Sequence, residues 1–416
     1  MISENVSMKK RRQSSLKKPD GISLSANARG SARSFANQRA SRRSEKAPSV
    51  VQNGPPIVGV GASAGGLDAF TQLLRALPQN TGMAFVLVQH LEPTHESMLT
   101  KLLSGATKMP VQEVHEGMRA EANHVYVIPA NADLSLMDGL LHVVGRRAPA
   151  GHHLPIDYFF RSLAETRKSR AVGVILSGTA SDGTAGLRAI KAEGGLTFAQ
   201  DPASTKFDGM PRSAIAAGCV DMVLPPERIA AELMLVARHP FVKMPPPEGV
   251  EVLPAKEEDW PRLFRLLRTG SEVDFTFYKR SMIARRLARR MAVHKVESLS
   301  EYLRFLEDHR GELDILFQDI LIHVTSFFRD PDVFTALRQK IFPQILAERP
   351  PGEPVRIWVP GCSTGEEVYS IVICLLECLG NRAPDTPVQV FATDINEAAI
   401  GKARAGTYSE DEVAEL

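Results

Sequence analysis

From Pro55 onward, short apolar runs alternate with segments whose apolar residues recur every three to four positions. The runs at 57–60, 84–89, 124–128, 140–144, 172–176, 195–199 and 219–224 predict strands. Helical periodicity at 67–77, 97–103, 156–166, 185–192 and 211–217 predicts the helices between them. Such alternation implies an α/β fold, a doubly wound and mostly parallel sheet with helices on both faces. A Pro-rich stretch, Pro245-Pro246-Pro247-Glu248-Gly249, then leads into an almost purely helical pattern. A second α/β pattern begins at Pro354, with a strand at 355–359, a glycine loop, a helix at 366–379 and a strand at 388–393. The expected organisation is a tail (1–54), an α/β domain (55–240), a linker (241–259), a small all-α domain (260–340) and an incomplete second α/β sheet (341–416).

Composition changes this picture little. The chain is 44% hydrophobic and 24% charged with net charge +2, ordinary for a globular protein. Charge distribution is more telling: residues 1–54 hold 12 Lys/Arg against Glu4, Asp20 and Glu45, with few large apolar residues. That segment reads as a disordered basic tail, either a plain solvated leader or a contact for nucleic acid or anionic lipid. Cys219, Cys362, Cys374 and Cys378 show neither C-x-x-C spacing nor a disulfide framework, which suits a reducing cytoplasmic setting, and no metal site is expected. No apolar run is long enough to span a bilayer, and no signal-peptide pattern follows the basic start.

Candidate chemistry sits where strands end. Ile57-Val58-Gly59-Val60 runs into Gly61-Ala62-Ser63-Ala64-Gly65, a sharp strand-to-helix turn with Ser63 at its apex. Small residues also serve turns that bind phosphate or simply pack tightly. The run at 84–88 leads to Gln89-His90, and the run at 172–176 leads to Ser177-Gly178-Thr179-Ala180-Ser181-Asp182-Gly183. Carboxyl ends of parallel strands share one rim, so Ser63, His90 and Asp182 could converge as nucleophile, base and orienting acid. Rival readings stand beside this one. His95, His115, His124, His142, His152 and His153 compete with His90, and Asp182 could simply make an Asx-turn. The order Ser…His…Asp disfavours an α/β-hydrolase.

Val58-Gly59-Val60-Gly61-Ala62-Ser63-Ala64-Gly65-Gly66, Val88-Gln89-His90, Tyr126-Val127-Ile128-Pro129-Ala130, Gly173-Val174-Ile175-Leu176-Ser177-Gly178, Ser181-Asp182-Gly183 and Gly209-Met210-Pro211-Arg212 occur in this order. Together they resemble the catalytic domain of CheB, the chemotaxis protein-glutamate methylesterase, over about 55–236. The resemblance implies Ser63 as nucleophile, His90 as base, Asp182 as orienting acid and the Ala64 and Thr179 amides as oxyanion donors. The esterase needs no cofactor. Its implied substrate is a glutamate γ-methyl ester on a chemoreceptor helix, with glutamine deamidation as a companion reaction. Ala180 stands where the family usually has glycine, and residues 1–54 are too short and polar to fold as a receiver domain.

In the second α/β pattern, Gly361-Cys362-Ser363-Thr364-Gly365 precedes Glu366 and Glu367 at a helix start. The two acids would repel a pyrophosphate there and suit a cationic ligand such as S-adenosylmethionine. Ser363-x-x-Glu366 also reads as a capping box, which needs no ligand. Asp394 ends the strand at 388–393, where an acid takes ribose hydroxyls in Rossmann-like folds.

With Ile322-His323-Val324-Thr325-Ser326-Phe327-Phe328-Arg329 and Phe391-Ala392-Thr393-Asp394-Ile395, residues from about 260 to the end resemble CheR, the chemotaxis receptor methyltransferase. That implies Thr325, Arg329, Glu367 and Asp394 as S-adenosylmethionine contacts. It also implies that the basic helix 279–290, with Arg285, Arg286, Arg289 and Arg290 around a Met282–Ile283–Leu287–Met291 stripe, docks an acidic receptor. His323 stands where the family often has Asn. The chain ends before the family's later strands and its Asn/Tyr-bearing motif, so these residues are expected to hydrolyse but not to methylate. The combined expectation is a cytoplasmic two-way receptor-modification protein acting on a methyl-accepting chemotaxis receptor, or on another two-component partner. A non-catalytic receptor or S-adenosylmethionine scaffold, and a serine esterase of small esters, are the alternatives.

Overall fold

The computed structural model of the chain describes residues 54–90, 98–145, 154–238, 256, 258–321, 325–350, 352–408 and 413. The tail reading (1–53), nearly all of the linker, the start of the expected helix at 97, and Ile322-His323-Val324 lie outside these residues.

Strands β1 (Ile57–Ala62), β2 (Ala84–Gln89), β3 (Val111–Glu113), β5 (Val125–Val127), β8 (Ala171–Ile175), β9 (Leu196–Gln200) and β10 (Met222–Leu224) form one parallel sheet, ordered β10-β9-β8-β1-β2-β5-β3. Helices α1 (Gly66–Ala76), α2 (Leu99–Ser104) and α6 (Pro226–Val236), together with α3 (Pro155–Arg167), α4 (Thr184–Ala192) and α5 (Gly209–Ala216), complete this domain. β1 explains the two-faced cover. Its Val58, Val60 and Ala62 join an apolar cluster with Leu73, Ile229 and Leu233 of α1 and α6. On the other face, a Cβ on Gly59 would stand 2.8 Å from Phe160, and one on Gly61 would stand 2.4 Å from Ile156. The alternating glycines thus let α3 lie against the strand.

Three strands and one helix escape the hydrophobic pattern: β3, the two-residue β4 (Met118–Arg119), β6 (Ala132–Met137) and α6. The run at 140–144 does not join the parallel sheet. As β7 (Leu140–Gly145) it pairs antiparallel with β6 and β4 in a small second sheet. β6 includes Asp133 and Ser135 yet is buried over Ala132–Leu136, because α3 covers it. Ser162 Oγ accepts from the Leu136 N–H at 3.0 Å, and Thr166 donates to the Leu136 carbonyl at 2.7 Å.

Helices α7 (Asp259–Ser271), α8 (Arg280–His294), α9 (Leu299–Asp308) and α10 (Arg310–Ile320) form the all-α region. Their core, including Leu263, Leu287, Tyr302 and Leu316, is continuous with the α1/α6 layer of the sheet domain. Next come α11 (Pro331–Ala336), a π-turn, α12 (Phe342–Glu348), β11 (Val355–Pro360), α13 (Glu366–Leu379), β12 (Val388–Thr393) and α14 (Glu397–Ala405). β11 and β12 pair in parallel as a two-stranded sheet. Phe334 of α11 and Phe342 of α12 share a core with Val355 and Leu375. Packing therefore separates the all-α and sheet regions ahead of 331, whereas the helical period alone carried the boundary to 340. Among the described residues, no helix is long and apolar enough to cross a membrane.

Candidate active site

Parallel register assembles the site. Ala62 of β1 pairs with Gln89 of β2, so Ser63 and His90 are the next residues on neighbouring strands. On the other side Gly61 pairs with Ile175, the Leu176 N–H reaches the Gly61 carbonyl at 2.9 Å, and the Ser63 N–H donates to the Ser177 carbonyl at 2.9 Å. Three turns thereby meet at the carboxyl-end rim. His90 Nδ1 is 3.3 Å from Ser63 Oγ, and its Nε2 is 2.9 Å from Asp182 Oδ2, an ion-pair contact. The ring nitrogens thus take the opposite assignment to that of the chymotrypsin-type triad.

Asp182 is buried and does not make an Asx-turn. Its carboxylate accepts the Ile156 N–H at 3.0 Å and the Asp157 N–H at 2.9 Å, in the first turn of α3. Leu154, the residue before that helix, offers no side-chain cap, so Asp182 supplies it from across the fold. In return Asp157 accepts the Gly186 N–H at 2.6 Å in the first turn of α4. Asp157 escaped the sequence reading because its role depends on two helix starts meeting.

Ser177 was visible only as part of a motif. Its hydroxyl donates to the Ala64 carbonyl at 2.7 Å and accepts from the Thr205 hydroxyl at 2.7 Å. The Ser63–Ala64 peptide is therefore held at both flanks. Among the described residues neither the Ala64 nor the Thr179 amide donates a hydrogen bond, which leaves both available as oxyanion donors. The Gly209-Met210 motif pins the acid's loop: the Gly178 N–H reaches the Phe207 carbonyl at 2.8 Å, and the Met210 N–H reaches the Gly178 carbonyl at 3.0 Å. An open cleft of ≈ 730 Å³ lies over Ser63 and His90, with Leu67, Asp68 and Gln89 on its wall. Of the rival histidines, two make other side-chain bonds, and His115 is exposed before β4. His124 bonds the Ala122 carbonyl at 3.0 Å and His142 pairs with Glu116 at 2.7 Å; His95, His152 and His153 lie outside the described residues.

At the second site the glycine loop differs from its reading. Gly361, Ser363 and Gly365 all have positive φ, and α13 starts only at Glu366, capped by Gly365. Ser363 is thus too early to be an N-cap, and the expected capping box does not form. The Thr364 hydroxyl instead donates to Glu366 at 2.6 Å. Asp394 braces the loop, accepting the Ser363 N–H and the Asn396 N–H, each at 2.8 Å. Glu367 is exposed in the helix's first turn, and the Phe328 N–H donates to Ser370 Oγ at 3.0 Å, which ties the segment of Thr325 and Arg329 to the same helix. Among the described residues the buried Ser363 hydroxyl has no hydrogen-bond partner. An orphaned hydroxyl and a free carboxylate beside an open glycine turn fit an S-adenosylmethionine site.

The basic helix departs most from expectation. Arg289 and Arg290 are buried, and Arg286 is half-buried against main-chain carbonyls. Met282, placed on the apolar stripe, is 40% exposed. Only Arg285 keeps a half-exposed position without such bonds, so the expected four-arginine receptor-docking face does not exist. The carboxylates that hold Arg289 and Arg290 and the carbonyls that hold Arg286 come from other segments of the chain, which periodicity cannot report.

Family models match three stretches: CheB methylesterase at 58–233, the all-alpha domain of CheR methyltransferase at 258–321, and its SAM-binding domain at 323–416. An uncharacterised 104.1 kDa protein in the hypE 3' region of Rhodobacter capsulatus is 38% identical over 76% of this chain and 35% of its own length. A protein-glutamate methylesterase/protein-glutamine glutaminase 2 of Burkholderia pseudomallei is 38% identical over 44% of this chain and 55% of its own. The chain thus spans between about a third and a little over half of these relatives. The crystal structure of the Thermotoga maritima CheB methylesterase catalytic domain is 31% identical, covers 44% of this chain and 97% of that one, and gives a TM-score of 0.41. The chain carries a CheB methylesterase domain joined to the all-alpha and SAM-binding domains of the CheR methyltransferase family.

Proposed function

We propose that the sheet domain hydrolyses glutamate γ-methyl esters, and deamidates glutamine, on a helical chemotaxis-type receptor. The observation that carries this reading is the Ser63–His90–Asp182 relay, with contacts of 3.3 and 2.9 Å beneath an open cleft. Ser63 Oγ attacks the ester carbonyl while His90 Nδ1 takes its proton. Asp182, fixed by two α3 amides, stabilises the imidazolium through Nε2. The Ala64 and Thr179 amides donate hydrogen bonds to the oxyanion. Collapse expels methanol, which leaves with the proton from Nδ1. Water, activated by the same nitrogen, then attacks the acyl-enzyme and releases the glutamate carboxylate and Ser63. The cleft's openness suits an ester presented on a protein surface. Four free thiols accord with a cytoplasmic setting.

For the CheR-like part, Thr325, Arg329, Glu367 and Asp394 remain the proposed S-adenosylmethionine residues. Glu367 would face its cationic part, and Asp394 would act through the loop that it braces. S-adenosylmethionine, when bound, supplies an electrophilic methyl group.

Methanol release from methylated receptor tests the esterase. Ser63→Ala and His90→Ala should each lower turnover at least ~10³-fold, since a triad acts as a unit. Near-normal turnover in His90→Ala would remove the histidine from the mechanism.

A further inference from the structure

Helix α8 spends its arginines inside the molecule. Arg289 is fully buried; its two terminal nitrogens pair with Asp221 and Asp319, and its Nε–H donates to the Gly195 carbonyl at 2.9 Å. Asp319 belongs to α10, but Asp221 and Gly195 belong to the sheet domain. One turn earlier, Arg286 donates to the carbonyls of Lys191 and Ala192. Those residues end α4, where carbonyls lack intrahelical donors and the helix dipole favours a cation. Lys191 adds its ammonium 3.4 Å from Asp319, and Lys295 stands 3.0 Å from Glu232 of α6.

Arg289 and Lys191 thus balance Asp221 and Asp319 inside the contact, and the apolar cluster beside them runs unbroken from α6 into the all-α region. Burial alone would raise the Asp221 carboxyl, but Arg289 and Lys191 outweigh it and hold it below the usual range. A guanidinium with every nitrogen engaged has nothing left to offer a receptor.

Position matters as much as chemistry. Gly195 precedes β9, Asp221 precedes β10, and residues 191–192 close α4, so this contact lies on the amino-end rim of the sheet. Ser63, His90 and the 177–182 turn lie at the carboxyl ends. A six-residue strand separates the rims by about 20 Å.

We infer that α8 is an interdomain clamp: Arg286 and Arg289 take as their partner the amino-end rim of this chain's own sheet domain, fixing the all-α domain there and leaving the catalytic rim open. Hydrogen exchange on the full chain tests it. Arg286→Met removes only the two carbonyl contacts, Arg289→Met removes the buried pairs, and Arg285→Ala is the control on the same helix. Exchange should quicken in 190–198 and 280–294 together in Arg286→Met, more so in Arg289→Met, and in neither segment in Arg285→Ala. Ester hydrolysis should persist in Arg286→Met, because the catalytic rim is untouched. Protection of 190–198 should also survive about 1 M salt, where the screening length is about 3 Å. Faster exchange confined to 280–294 in Arg286→Met, or salt-induced exposure of 190–198, would overturn the clamp. If Arg289→Met fails to fold, the Arg286→Met and salt results decide.

Discussion

Ser177 grips the nucleophile's turn from two sides. Its carbonyl accepts the Ser63 N–H at 2.9 Å and its hydroxyl donates to the Ala64 carbonyl at 2.7 Å. Between those bonds lies the amide of Ala64, the proposed oxyanion donor. Ser177→Ala should therefore lower kcat by roughly 10- to 100-fold with little change in KM, the signature of a misplaced transition-state donor. Ser177→Thr, which keeps the hydroxyl, should lose less; equal losses in both variants would reduce Ser177 to packing. Ala180 makes a second residue-scale case. Its φ is 64°, the left-handed region where a Cβ costs about 1–2 kcal/mol. Ala180→Gly should stabilise the domain by roughly 0.5–1 kcal/mol once glycine's greater unfolded-state entropy is subtracted, a gain readable by urea denaturation. The sequence disclosed Ser63, His90 and Asp182 because each lies in the turn that follows an apolar strand. It could not disclose Asp157 or Ser177's grip, since neither residue type is unusual and only the meeting of separate turns gives each its task.

At the scale of elements, α3 and α4 exchange carboxylates. Asp182, just before α4, caps α3, while Asp157, in the first turn of α3, caps α4. Asp182→Ala should consequently cost about 1–2 kcal/mol of stability besides its catalytic loss. Unchanged unfolding in that variant would show that solvent replaces the cap. The all-α region carries a pH-dependent element of its own. Glu312 of α10 accepts Arg290 Nε–H at 2.8 Å and the Tyr302 hydroxyl at 2.6 Å, with His294 Nε2 2.8 Å away. Burial would raise this carboxyl, but the His294 and Arg290 bonds dominate and lower it from 4.5 to about 2. A depressed carboxyl contributes stability above its unfolded value and loses it as pH falls from about 4.5 towards 2, here of order 3 kcal/mol. Urea unfolding followed through the all-α region should show that loss. Glu312→Gln should be less stable at neutral pH, with a flatter acid dependence over the same range.

For the whole molecule, the continuous apolar cluster joining α1 and α6 to α7–α10 changes what a cut should do. A single protease site introduced between 239 and 255 should yield two fragments that co-elute on gel filtration, because about 0.8 kcal/mol per buried methylene accumulates across such a cluster. Separation of the fragments under native conditions would mean that the shared core contributes little. The sequence by itself determined the alternation of strand and helix, the parallel sheet and the three turns that carry Ser63, His90 and Asp182 to one rim. Those depend on local period and on the shared rim of parallel strands, and both are written residue by residue. It also carried the motifs of two families. Tertiary structure alone decided that 140–144 pairs in a separate antiparallel sheet, that Ser363 precedes the helix cap, and that Arg286, Arg289 and Arg290 turn inward. The first is a hairpin, in which two residues join β6 to β7; the other outcomes are set by partners farther along the chain, Asp394 for the glycine loop, the Lys191 and Ala192 carbonyls for Arg286, Asp221 and Asp319 for Arg289, and Glu312 for Arg290. A charged helix face is solvated unless opposite charge and apolar cover arrive from elsewhere, and only the folded chain brings them.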